Sequence, residues 1–107
     1  MGAALNVRVV GGTVVVRIGA IGRADVPLLC AKAEAWLTAV PDAPLRCEVG
    51  AGARADLVVV DALARLRLAA RRHGRDYRVD GAPPALRDLL ALVGLRDALG
   101  ADAPAGE

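Results

Sequence analysis

The sequence is defined first by what it leaves out. Its 107 residues contain no Phe, no Ser and no Gln, one Trp, one Tyr, one His, two Cys, and a single lysine (Lys32) beside thirteen arginines. With so few rings, any core must be aliphatic. With no serine there is no serine nucleophile and no phosphoserine. One histidine and two cysteines supply no metal-ligand cluster and no disulfide framework, and the lone Gly11-Gly12 pair lacks the context of a phosphate-binding loop. Apolar runs stop at a handful of residues, far below the ~20 that cross a bilayer. The N-terminus lacks a basic stretch followed by an apolar one, which argues against a secretory leader and for the cytoplasm.

What is present is 55% hydrophobic and 24% charged, with a net charge of +2. That composition excludes a disordered chain, and this length predicts one self-folding domain. The charge is too slight, and the rings too few, for a nucleic-acid surface. No enzyme, cofactor or metal is expected.

Alternation predicts strands at Leu5–Val9 and Thr13–Ile18, joined at Gly11-Gly12, where a tight hairpin turn needs positive φ. Arg8 and Arg17 fall on its more polar face, and a short third strand is expected around Ala20-Ile21. Asp25 is placed as an N-cap with Pro27 in the first turn. Val26, Leu29, Cys30, Ala33, Trp36, Leu37 and Val40 then recur on one helical face; Trp36 reads as the largest core side chain. Leu45, Cys47 and Val49 alternate as a buried strand face, so both cysteines point inward.

After a loop at Gly50–Ala55, Asp56 caps a second helix that runs to about His73 and ends at Gly74, with Arg71, Arg72 and His73 opposing the carbonyl dipole. Tyr77 and Val79 mark a last strand. A third helix is expected over Ala85–Val93 and one further turn over Leu95–Leu99. The order predicts an α/β fold: a mixed four- to five-stranded sheet with helices mainly on one face, as a single domain over residues 1–99, with a flexible tail over 100–107.

On the second helix two arcs separate. Val59, Ala62, Leu63, Leu66, Ala69 and Ala70 form the core side. Leu57, Val60, Ala64 and Leu68 follow i, i+3, i+7, i+11 spacing on the other, among Asp61, Arg65, Arg67, Arg71 and Arg72. A second apolar stripe flanked by charge predicts a partner surface, made of Asp56, Leu57, Val60, Asp61, Ala64, Arg65 and Leu68.

Glu48 on a strand, Asp56 eight residues on, an Arg-rich helix closing at Gly74, and the closing stretch Asp80 to Leu95 with its Leu92-Val93-Gly94-Leu95 end together resemble the STAS domain. That family is named for sulfate transporters and anti-sigma factor antagonists, and the resemblance extends from about Leu5 to Leu99. It implies a STAS-like fold, a bacterial regulatory role acting on transcription, and a partner of anti-sigma kinase type. It also implies that the start of the second helix is the contact surface. In the antagonists the Ser or Thr directly after that Asp is phosphorylated, adding about −2 charge at the partner-binding helix start. Here that position is Leu57, followed by Val58, so the phosphorylation site is degenerate.

Three other readings stand beside the antagonist-like module. The chain is then a STAS subunit of a lipid-transport ATPase, a small-molecule domain for a nucleotide or apolar ligand, or a homodimer through the stripe.

Overall fold

A computed structural model describes residues 6–50 and 52–99; the tail expected at 100–107 lies outside them. The elements run β1 (Asn6–Val10), β2 (Thr13–Ile18), α1 (Asp25–Ala39), β3 (Leu45–Val49), α2 (Leu57–Arg72), β4 (Tyr77–Asp80) and α3 (Pro84–Leu92), followed by a 3-10 turn at Arg96–Ala98. The sheet order is β1-β2-β3-β4. β1 and β2 are antiparallel, closed by Gly11 (φ 56) and Gly12 (φ 80), the two positive values a type I′ hairpin requires. β2, β3 and β4 are parallel. Each crossover steps one strand in the same direction, so right-handed connection puts α1 and α2 on the same face.

That face carries the core. Val14, Val16 and Ile18 of β2, Leu45, Cys47 and Val49 of β3 and Val79 of β4 meet Leu29, Ala33 and Leu37 of α1, Val59, Leu63 and Leu66 of α2, and Leu86 and Leu90 of α3. Apart from the Cys47 thiol its side chains are aliphatic, and no polar or charged residue is buried among the described residues. The opposite face presents Arg8, Arg17, Arg46, Glu48, Arg78 and Asp80 by strand alternation. No helix among the described residues is long and apolar enough to cross a membrane.

Four expectations need correction. No strand forms at Ala20-Ile21; this short run lies between Gly19 and Gly22, and Ile21 packs against the core instead. Asp25 is not the N-cap of α1 but its first residue, behind Ala24, and its carboxylate accepts the Gly22 N–H at 2.8 Å. Trp36 is not in the core; it is 40% exposed. α1 packs over β1 and β2 with α2 on one side, and Trp36 turns to the other flank while Ala33 and Leu37 fill the interior. Cys47 is buried as expected, but Cys30 is only half-buried.

α2 starts and stops where the sequence places it. Asp56 Oδ1 accepts the Val59 N–H at 3.1 Å, satisfying one of the free donors of the first turn. At the other end Gly74 (φ 68) turns the chain so that its N–H reaches the Arg71 carbonyl and the Arg75 N–H reaches that of Ala70, a Schellman closure.

Candidate functional site

α1 and α2 pack side by side and leave an outward-facing groove between them. Near the N-terminal ends of both helices, Arg23, Val26, Leu57, Val58 and Asp61 line a recess of about 210 Å³. Further along, Cys30, Glu34, Arg65, Leu68 and Arg72 line another of about 400 Å³. Four residues of the expected partner surface, Leu57, Asp61, Arg65 and Leu68, lie along this groove.

The apolar members differ sharply. Leu57 is 75% exposed and Leu68 54% exposed, so each leaves more than half of its surface in water. Val60 belongs to the core cluster and is buried, which removes it from the expected surface. Ala64 is half-buried and also packs against the core. The continuous stripe is therefore two exposed leucines about 16 Å apart along the helix axis, separated by residues that belong to the interior. Asp56 is taken up as the N-cap, so its role is to start α2 and fix where Leu57 stands.

Charge along the groove is mostly paired, the exception being Arg23, which has no carboxylate in salt-bridge range among the described residues. Arg65 Nε lies 3.0 Å from both Asp61 oxygens, an i, i+4 pair on α2 itself. Glu34 of α1 receives a hydrogen bond from Arg72 and lies 3.3 Å from His73 Nε2. This inter-helix cluster was not singled out in the sequence, because its members are 38 and 39 residues apart. Partial burial alone would raise the Glu34 carboxyl; the hydrogen bonds and positive charges of Arg72 and His73 outweigh it and hold the group below the usual carboxylate range. Burial raises the Cys30 thiol, and Asp61 and Glu34 add to the rise while Arg65 and Arg72 oppose it. A thiol held protonated is a poor nucleophile.

The groove presents side chains that can make contacts. It offers two exposed aliphatic side chains, set beside the Asp61–Arg65 and Glu34–Arg72 pairs and the unpaired Arg23. Among the described residues no group of three or more His, Cys, Asp or Glu side chains is placed to hold a metal. No family model matches the chain, and no match is found among curated proteins or solved structures.

Proposed function

We propose that the chain is a non-enzymatic, STAS-like interaction module of the cytoplasm. It binds a regulatory protein of anti-sigma kinase type through the start of α2 and the outer α1/α2 groove. The observation that carries this reading is Leu57, three-quarters exposed on the first turn of α2 directly after the capping Asp56. The STAS resemblance puts the phosphorylated hydroxyl at this position. A leucine there accepts no phosphoryl group and offers apolar area, so the module binds without the switch and its control lies elsewhere. Fully covering such a side chain is worth about 1.5–3 kcal/mol, enough for a central contact.

The test is co-purification with the tagged chain from its own host, followed by Leu57→Asp and Leu68→Asp. Recovery of a kinase-type regulatory protein, weakened about tenfold or more by Leu57→Asp, is the expected result. Recovery of a transporter ATPase instead moves the assignment to the transport reading. A complex indifferent to both substitutions removes the groove as the contact surface.

A further inference from the structure

The face of the sheet away from the helices divides into two halves of different charge. On β3 and β4 the arginines and acids neutralise one another: Arg46 Nη2 lies 3.0 Å from Glu48, and Arg78 Nε 2.9 Å from Asp80. β1 and β2 carry Arg8 and Arg17, both exposed, and no acid. Indeed no Asp or Glu precedes Asp25 in the chain. Neither Arg8 nor Arg17 has a carboxylate in salt-bridge range among the described residues.

β1 is also an edge. Val10 and Thr13 flank a two-residue turn, so Val10↔Thr13 and Arg8↔Val15 are hydrogen-bonded pairs, while Val7↔Val16 and Val9↔Val14 are not. The N–H and C=O groups of Val7 and Val9 consequently point away from β2. They are four strong backbone groups with no strand beyond them among the described residues. On the helix side of the sheet, Trp36 of α1 lies on the flank of its helix turned away from α2. Glu34 faces α2, and Trp36, two residues on, sits roughly 200° round the helix on the opposite flank, half-exposed.

We infer that the β1 edge is a second docking surface, which takes an extended acidic segment of a partner protein as an added antiparallel strand. Val7 and Val9 would make its backbone hydrogen bonds. The added residue opposite Arg8 is then in a non-hydrogen-bonded pair, where Cα atoms approach to about 4.5 Å and side chains meet most closely. A glutamate at that position faces Arg8 directly. Its neighbours turn to the helix side, where Val7 and Val9 offer apolar contact. The same register rejects a second copy of this chain, because two-fold pairing of β1 with itself through Val7 and Val9 sets Arg8 against Arg8. It does not suit RNA either, since the open face carries no ring on which a base could stack.

The surface is independent of the α1/α2 groove, and the probe is a synthetic peptide, acetyl-Thr-Val-Glu-Val-Thr-amide, with a lysine version as its control. Isothermal titration calorimetry follows the titration. The glutamate peptide is expected to bind about tenfold more tightly than the lysine peptide, to slow hydrogen exchange at the Val7 and Val9 amides, and to weaken with salt. Arg8→Glu is expected to reverse the preference between the two peptides. Equal binding of both peptides to the unaltered protein overturns the inference, as does unchanged exchange at Val7 and Val9. Concentration-dependent protection of those amides without peptide identifies a second copy as the occupant and overturns it as well.

Discussion

The two ends of α2 are built to opposite purposes. At its N-terminal end one side-chain hydrogen bond, donated by the Val59 N–H to Asp56, starts the helix, and the first residue inside it, Leu57, stands in solvent. At its C-terminal end the chain is tied down several times over. Beyond the Schellman closure, Arg75 donates to the carbonyls of Leu37 (2.6 Å), Val40 (3.0 Å), Ala43 (2.9 Å) and His73 (3.2 Å). One guanidinium thus ties together carbonyls at the end of α1, the loop after it and the C-cap of α2. Glu34 adds a bridge from α1 to Arg72 and His73. Stability is concentrated at one end and apolar surface is presented at the other, so substitutions at the two ends should separate folding from binding.

Arg75→Ala is the severest way to break the contrast. It leaves partly buried carbonyls without a charged donor, at about 1–3 kcal/mol for each group left unsatisfied. The contributions are not additive, so a loss of about 3 kcal/mol is expected. In a domain of this size that lowers Tm by roughly 10–20 °C. Arg75→Lys, which keeps the charge but not the planar fork, should recover only part of it. A thermal melt within a few degrees of the unaltered protein would show that water serves those carbonyls equally well.

The middle of α2 is held by Tyr77, whose hydroxyl donates to the Leu63 carbonyl at 2.7 Å and lies 3.5 Å from Cys47 Sγ. Tyr77→Phe should cost about 1 kcal/mol at neutral pH. These groups also fix the alkaline limb. Burial pushes the Cys47 thiol up to about 12, only partly offset by the Tyr77 hydrogen bond, and burial raises the Tyr77 hydroxyl well above its ordinary value, reinforced by Cys47. The unfolded chain loses these protons at lower pH than the folded one. Their contribution is therefore complete below pH about 9 and falls as pH rises towards about 12. Denaturant titrations across that range should show stability declining, and less steeply in Tyr77→Phe, which has one group fewer to titrate.

Features set by local signals are legible in the sequence. The hairpin was legible from two adjacent glycines, α2 from Asp56 and Gly74, and the buried face of β3 from strict alternation. Features that depend on a neighbouring element are not. The stripe of Leu57, Val60, Ala64 and Leu68 has a sound period, but α2 touches α1, β4 and α3, so its apolar arc is wide and takes in Val60. Trp36 has the right spacing for the core of α1, yet its flank faces the side where the sheet ends. Arg75 carries no local signature at all, because its carbonyl partners on α1 and the following loop are 32 to 38 residues away. Of the candidate groove, one wall was therefore legible in sequence; Cys30 and Glu34 on the other wall became visible only when α1 was laid against it.

Glu34→Gln sharpens the contrast at smaller cost. The carboxylate is about one-third exposed and its partner Arg72 more so, so solvent screening limits the loss to below about 1 kcal/mol. The diagnostic is its pH profile. A carboxyl lowered in the folded state contributes fully above its unfolded value, and that contribution disappears as pH falls through the lowered one. Acid titrations of the unaltered protein and Glu34→Gln should accordingly converge at low pH and diverge towards neutrality, and added salt should shrink the gap. Parallel curves would mean that the α1–α2 bridge adds nothing to the pinned end.

The smallest expected change in stability, and the most informative, is at Leu57. Three-quarters of its surface is already in water, so Leu57→Asp removes little buried area. The new carboxylate stands in the first turn of α2, where it favourably opposes the helix dipole by about 0.3–1 kcal/mol. The melting temperature should stay level or rise slightly. A leucine retained only for folding would show the reverse, because Asp has lower helix propensity by a few tenths of a kcal/mol and loses whatever packing Leu57 makes. If the variant holds its Tm and loses its partner while Arg75→Lys loses Tm and keeps the partner, the two ends of α2 serve different functions. If Leu57→Asp instead lowers Tm by more than a few degrees, Leu57 belongs to the fold, and the exposed end of the helix has no claim to be the contact surface.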